Sequence, residues 1–186
     1  MGILSKAYWL GILFLGVLLF SCEKEKEKSL NDIDFPPMDK GKIEVNKMFL
    51  ILSKTNGEVL DTVHYSTLNA SSIDTIMLEV NTNYKVEAHF VDKSGEDVNQ
   101  YIEDHGEDYL VCYSPSNPAV LQITELSLDK NKDKLGLSTQ CKASEVTNSE
   151  DANALEVRLK YQANTKDNLC SPGIELIYAN FIYKIR

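Results

Sequence analysis

Apolar and polar residues alternate in short runs from residue 42 to residue 186. In the clearest run four apolar side chains alternate with four polar ones: Leu155, Val157, Leu159 and Tyr161 against Glu156, Arg158, Lys160 and Gln162. A period of two residues predicts a strand with its apolar face buried and its polar face in water. Eight more runs predict strands, making about nine in all: IEVNKMFLIL, EVLDTVHY, DTIMLEV, YKVEAHFVD, DYLVCY, AVLQITELSL, KLGLSTQCKA and IELIYANFIYKI.

Turn residues between these runs indicate how the strands are joined. Asn56-Gly57 predicts a tight hairpin between the first two strands, because both residues tolerate positive φ. The sequence NTN, residues 81–83, predicts a second hairpin between strands three and four. In GEDVNQYIEDHG the strand period breaks, which predicts one short helix with Asp97 as its cap and Gly106 as its left-handed stop. Val98, Tyr101 and Ile102 share its apolar face.

Many short strands with turn signals between them are typical of an all-β protein. We expect residues 42–186 to form one antiparallel β-sandwich, immunoglobulin-like, with about nine strands and one short helix. A lipocalin-like barrel with a ligand-sized interior is the alternative.

The amino-terminal segment has the composition of an export signal. Lys6 precedes an unbroken apolar run from Ala7 to Phe20, which matches a signal-peptide core and is shorter than the about 20 residues that cross a membrane. We therefore assign residues 1–21 to a signal peptide. Residues 22–41 begin with alternating acids and bases and contain Pro36 and Pro37, which predicts a flexible charged tether.

The residues at the end of the apolar run carry a more specific signal. Leu19-Phe20-Ser21-Cys22 resembles the lipobox of bacterial lipoproteins, in which the signal peptidase cuts before the cysteine. This resemblance implies that Cys22 is acylated and anchors the protein to a membrane. The charged run that follows resembles the surface-export signals of Bacteroidetes lipoproteins, so we expect the outer membrane, with the folded domain at the cell surface or on the periplasmic face. A plain secreted protein is the alternative.

The charge of the chain limits its partners. It has 19 basic and 28 acidic residues and a formal net charge of −9. A nucleic-acid-binding protein needs a basic surface, so we expect no nucleic-acid partner. The chain contains no Gly-x-Ser-x-Gly elbow, phosphate-binding glycine loop or zinc-protease helix; we therefore predict neither catalysis nor a cofactor. His64 fits a strand face better than a general base.

Three segments carry a resemblance that covers residues 84–186: EDYLVCY, DKNKDKLGL and LEVRLKYQANTKDNLCSPG. They are similar to a family of small Bacteroidetes outer-membrane lipoproteins, often mislabelled as a type 1 periplasmic-binding fold. The chain departs from the family pattern at Tyr161, where a histidine is usual, and at Cys141, where an aromatic residue is common. The family often occurs beside TonB-dependent receptors. The resemblance thus implies a binding or accessory subunit for uptake of a metal, a metal complex or another nutrient; a structural or adhesive surface module is the alternative.

Three cysteines follow the lipobox, so at least one thiol stays unpaired within the chain. A simple meander of strands would bring Cys112 and Cys141 to the same end of a sheet. The family resemblance implies instead a disulfide between Cys112 and Cys170, with Cys141 as the extra cysteine. No CxxC or Cys/His spacing supports a thiolate metal site.

An acidic segment at the end of the predicted helix is a candidate metal site, because carboxylates and imidazole are ligands for divalent cations. Its members are Glu103, Asp104, His105, Glu107 and Asp108, with His89 as a ligand that could join from a neighbouring strand. Acids that simply face water at a helix end are the alternative.

A second acidic segment mimics a calcium loop but fails its pattern. Asp129, Asn131 and Asp133 have the spacing of the first three ligands. Lys134 occupies the place of the turn glycine, and Gln140 that of the bidentate glutamate. We therefore interpret these residues as a polar hairpin turn.

Replacing Cys22 with alanine is expected to release the folded domain from membranes, since the acyl chains provide the anchoring free energy. The measurement is the fraction of protein that sediments with membranes, with Cys141→Ala as the control that should still sediment. A Cys22→Ala variant that stays in the membrane fraction would show that the anchor prediction is wrong.

Overall fold

The computed structural model describes residues 43–55, 59–66, 75–147 and 153–186, with 59–66 described by their backbone. The predicted signal peptide, the lipid-attachment site Cys22, the tether and the Asn56-Gly57 turn lie outside these residues. No helix in these ranges has both the length and the apolar character needed to span a membrane.

The described residues form nine strands, one short α-helix and one 3₁₀ turn. The strands are β1 (Val45–Lys54), β2 (Val59–Ser66), β3 (Ile76–Leu78), β4 (Thr82–Asp92), β5 (Tyr109–Pro115), β6 (Leu121–Leu128), β7 (Lys134–Ala143), β8 (Asn153–Tyr161) and β9 (Ile174–Ile185). The helix α1 (Asn99–Asp104) and the 3₁₀ turn (Gly106–Asp108) lie between β4 and β5. The number of strands and the one short helix match the prediction.

Two sheets make up the sandwich. One has the order β2-β1-β4-β7-β6 and the other β3-β9-β8-β5, and the sheets do not close into a barrel. In immunoglobulin terms β1, β4, β7 and β6 take the places of strands A, B, E and D, while β9, β8 and β5 take those of G, F and C. Strands β2 and β3, which come between A and B in sequence, extend the two sheets at their edges. The all-β sandwich prediction is confirmed, and the barrel alternative is wrong.

The predicted hairpin between the third and fourth strands is wrong. Strand β3 pairs with β9 in parallel, whereas β4 pairs with β1 and β7 in the other sheet. The backbone of Arg186 holds β3 in place: its N–H donates to Leu78 O and its carbonyl accepts from Val80 N. Asn81, with φ of 58°, then turns the chain toward the other sheet. The pairing covers one edge of β9, which would otherwise lie open.

The facing sides of the two sheets form a single core that includes large aromatic side chains. Tyr84, Phe90, Tyr109 and Phe181 are among its fully buried members. Two of the tyrosine hydroxyls find partners at the margin of the core: Tyr84 accepts a hydrogen bond from Glu79 N at 2.7 Å, and Tyr109 accepts one from the backbone N–H of residue 43 at 3.4 Å. These two tyrosines thus add apolar area to the core while their hydroxyls stay hydrogen-bonded.

Two residues predicted to face water at the end of β8 are buried instead. Lys160 lies on the outer face of the sheet, as the alternation requires, and Gln162 follows directly after the strand, where the β8–β9 loop folds back over it. The side-chain amide of Gln162 donates to Leu169 O at 2.8 Å and to Pro172 O at 2.9 Å. A period of two residues indicates which face a side chain occupies, and it does not indicate whether a loop covers that face.

The short helix forms where it is predicted, but its ends differ from the prediction. Val98 is the N-cap and makes no side-chain cap bond. Asp97 lies one residue earlier, where its Oδ1 accepts from Asn99 N at 2.8 Å in an Asx turn. Gly106 does not adopt positive φ and begins the 3₁₀ turn. A glycine is needed there because a Cβ would lie 2.6 Å from the Cβ of Asp129.

Replacing Gly136 with alanine is expected to destabilise the sandwich strongly. Gly136 has φ of +79°, and an added Cβ would lie 2.4 Å from Val111 O on the facing sheet. Gly95→Ala is the matched control, because Gly95 has φ of +91° and open space around it. We expect Gly95→Ala to lower the free energy of unfolding by about 1–3 kcal/mol because of backbone strain. Gly136→Ala should lower it clearly more, and urea unfolding measures both. Equal decreases for the two variants would contradict the close contact between the sheets.

Candidate functional site

Three loops meet at one end of the sandwich, which we call the loop end. They join β4 to β5 (93–108), β6 to β7 (129–133) and β8 to β9 (162–173), and correspond to the B–C, D–E and F–G loops of an immunoglobulin domain. In antibody variable domains the B–C and F–G loops belong to the recognition surface. The chain also enters the sandwich here, because Val45 at the start of β1 pairs with Asp92 at the end of β4.

A buried ion pair connects the three loops. Lys166 Nζ lies 2.8 Å from Asp129 Oδ2, and the two side chains are only 5% and 0% exposed. The same ammonium donates to Gly106 O at 2.6 Å. The other carboxylate oxygen of Asp129 accepts from the backbone N–H groups of Asn131 and Asp133, at 2.8 and 2.9 Å. One lysine from the β8–β9 loop therefore fixes both of the other loops.

Hydrogen bonding and burial together set the protonation of Asp129. Burial raises its pKa, but the hydrogen bond from Lys166 and those from the backbone outweigh burial, so that the pKa lies below the ordinary value of 3.8. In the folded protein near neutral pH the carboxylate of Asp129 is therefore ionised, and the ammonium of Lys166 balances its charge.

Asn168 reinforces the contact between two of the loops. Its Nδ2 donates to Asp133 Oδ1 at 2.9 Å, and its Oδ1 accepts from Lys134 N at 2.6 Å. Asn168 has φ of 62°, a conformation that asparagine tolerates better than most residues. The β8–β9 loop is thus held by both a charged and a neutral side chain.

A disulfide holds the same loop against the outside of β5. Cys112 on β5 is joined to Cys170, with 5.9 Å between their Cα atoms. This is the pair that the family resemblance implies, and the Cys112–Cys141 pair suggested by a simple meander is not formed. Among the described residues Cys141 is the free cysteine; it is buried, and burial raises its pKa to about 12. Its thiol is therefore protonated and unreactive in the folded protein.

The predicted metal-binding imidazoles are committed to other contacts. His105 Nδ1 lies 2.9 Å from Tyr101 O, and its ring stacks on that of Tyr101 with the centroids 4.1 Å apart. His89 Nδ1 lies 2.8 Å from Asp97 Oδ2, and its ring stacks on Phe49. The two histidines therefore serve local packing on different segments.

The predicted carboxylate ligands do not converge either. Glu107 pairs with Lys130 at 2.9 Å, and Asp104 Oδ1 accepts from Gln100 at 3.0 Å. Across the parts of the chain that the structure describes, no three His, Cys, Asp or Glu side chains are placed to hold a metal ion. The structure thus does not bring the proposed ligands together: Glu103, Asp104, His105, Glu107 and Asp108. The alternative interpretation fits better: these are acids at a helix end that face solvent or a nearby lysine.

Sequence reasoning missed the role of Asp129. The failed calcium-loop pattern indicated a polar turn, and the turn forms as expected, with Asp129 N donating to Asp133 O at 2.8 Å. Nothing in the local sequence points to Lys166 as its partner, because the two residues are 37 positions apart and meet only when the sandwich is assembled.

Three of the exposed apolar side chains in the described residues lie at the loop end. Leu128 at the end of β6, Leu169 in the β8–β9 loop and Ile174 at the start of β9 are 56%, 59% and 42% exposed. Single exposed apolar residues are ordinary, and their position beside loops that are tied together makes this end the candidate site for binding another molecule.

No protein-family model, curated protein or solved structure matches the chain. The resemblance to outer-membrane lipoproteins therefore remains a prediction from the sequence.

Lys166→Met is expected to destabilise the protein by about 3–5 kcal/mol at neutral pH, because it leaves the buried carboxylate of Asp129 without its counter-charge. Lys130→Met is the matched control: Lys130 forms an ion pair with Glu107 in which both side chains are largely exposed, so its loss should cost no more than about 1 kcal/mol. Urea unfolding measures both. If Lys166→Met lowers the free energy of unfolding by as little as Lys130→Met does, the proposed role of the buried pair is contradicted.

The same pair predicts a dependence on pH. The depressed pKa of Asp129 contributes stability above its unfolded pKa, and this contribution is lost as the pH falls through the folded pKa. In Lys166→Met the buried carboxylate gains from protonation instead. The difference in unfolding free energy between wild type and Lys166→Met should therefore narrow as the pH is lowered from 7 toward 4. A difference that stays constant over this range would show that the charge of Asp129 is not the cause.

Proposed function

We propose that this protein is a lipid-anchored envelope protein that acts by binding, as an accessory subunit of an outer-membrane TonB-dependent receptor. It is attached through Cys22 and recognises the receptor with its loop end. The observation that carries the proposal is that the chain enters the sandwich at the same end where the rigid loops and the exposed apolar side chains lie.

The position of β1 supports recognition of a partner in the membrane. Since β1 starts at the loop end, an anchor upstream of it draws that end toward the bilayer. A flexible linker of about 20 residues has an r.m.s. length of roughly 25 Å. The loop end is thus within reach of a protein embedded in the same membrane.

The contacts among the loops support binding without rearrangement. Lys166, Asn168 and the Cys112–Cys170 disulfide hold the β8–β9 loop by three independent attachments. Loops that are ordered before binding lose little entropy on association, which favours affinity. Leu169 lies between the last two of these attachments and is presented in a fixed position.

The described residues favour recognition of a protein over capture of a metal. The acids at the end of α1 and in the 3₁₀ turn give this end surface charge and do not provide a ligand set. Apolar residues with charged residues around them are a common composition for a protein-binding surface. We therefore assign the contact with the receptor to the loop end and the capture of a metal to the receptor.

A photo-cross-linking amino acid placed at Leu169 should cross-link a β-barrel receptor in cells of the native host, as identified by mass spectrometry. The matched control is the same amino acid at Val146, which is 63% exposed in the β7–β8 connection at the opposite end of the sandwich. The Leu169 cross-link should also weaken in a Cys22→Ala background. Equal capture from both positions, or no receptor from Leu169, would contradict the proposal and favour the structural or adhesive module.

A further inference from the structure

A groove of about 300 Å³, lined mainly by polar residues, lies on the outer face of the five-stranded sheet. It crosses four strands, β1, β4, β7 and β6, and none of its lining residues belongs to the three loops of the loop end. Its volume is at the lower limit of sites that take small molecules, about 300–1,000 Å³. A single sugar-sized molecule is therefore the scale of ligand that fits.

The strand register aligns four polar residues across the floor of the groove. Ser53 pairs with Lys85, Lys85 with Gln140, and Gln140 with Glu125. Adjacent strands are about 4.8 Å apart, so this row extends roughly 14 Å. It presents a hydroxyl, an ammonium, an amide and a carboxylate in sequence. Donors and acceptors are thus interleaved along one line.

Hydrogen bonds hold the β6 side of the groove in shape. Strand β6 has register shifts between Ile123 and Glu125 and between Leu126 and Leu128. Despite these shifts its backbone stays attached to β7, because the hydroxyl of Thr139 donates to Glu125 O. The side chains of Glu125 and Gln140 are joined at 2.8 Å, which fixes the orientation of both.

The charges of the groove argue against a simple anion as its ligand. Lys54 pairs with Glu79 at 2.8 Å, and Lys85 pairs with Glu87 at 2.7 Å. Both ammonium groups are therefore already balanced, while Glu125 adds a negative charge of its own to the lining. Among the described lining residues Leu126 is the apolar one, and the aliphatic parts of the polar side chains add further apolar surface.

We propose that this groove binds a neutral polyhydroxylated molecule the size of a monosaccharide. A sugar hydroxyl both donates and accepts, so it can bridge the carboxylate of Glu125 and the amide of Gln140. The remaining N–H groups of Lys85 are donors for a second hydroxyl, and Leu126 can contact the C–H face of the ring. This inference goes beyond the proposed function, since it concerns a different surface and a different kind of ligand.

Saturation-transfer NMR on the full-length protein, purified in a detergent without a sugar headgroup, tests the proposal. The probes are glucose, galactose, mannose, N-acetylglucosamine, xylose and myo-inositol, with inorganic phosphate followed by calorimetry. We expect at least one of the six to bind saturably and phosphate not to bind. Glu125→Gln should weaken the affinity about 10-fold or more, because it removes a charged acceptor.

Glu156→Gln is the matched control. Glu156 is also a partly exposed carboxylate with a partner, Arg158 at 2.8 Å, but it lies on the outer face of the other sheet. It should leave the affinity unchanged. Saturable binding of none of the six probes, binding of phosphate alone, or equal weakening by the two substitutions would overturn the proposal. Such a result would not change what the cross-linking from Leu169 shows, so either proposal can fail while the other stands.

Discussion

The buried pair between Lys166 and Asp129 is the interaction on which the loop end depends. Removing two charges from water costs several kcal/mol for each ion unless the geometry is good and further hydrogen bonds satisfy them. Here the ammonium also binds Gly106 O, and the carboxylate accepts two backbone N–H groups. Each extra partner comes from a different loop or from the turn itself. The charges are therefore fully compensated only when all three loops are in place, so the position of each loop depends on the other two.

Strand pattern and topology were predictable from the sequence to different degrees. The alternation in residues 153–162 correctly assigned a strand and its faces, because burial on one face imposes a period of two. It could not show that Gln162 is covered, since that depends on the loop that folds back over it. The pairing of β3 was missed for a related reason. A three-residue strand carries too little pattern to select its neighbour, and the carboxyl terminus that holds it lies about 100 residues away.

Sites were harder to predict than strands, because a site is defined by distances between segments. The acids at the end of α1 and in the 3₁₀ turn are neighbours in sequence, and the structure turns them toward different partners, such as Lys130 and Gln100. Asp129 and Lys166 are far apart in sequence and share an ion pair. The row from Ser53 to Glu125 has no local signature at all, because each member comes from a different strand. Its members could be aligned only once the register of four strands was known.

Strand β1 connects the two proposed surfaces. It takes the place of the first immunoglobulin strand, and its direction is fixed by antiparallel pairing from Val45 with Asp92 to Lys54 with Tyr84. Its first residue lies at the loop end, where the chain enters, while its last residues, Ser53 and Lys54, line the groove. Antiparallel pairing with β4 therefore separates the point of entry from the β1 side of the groove by the length of the strand. One strand thus keeps the surface proposed for the receptor apart from the groove proposed for a small ligand.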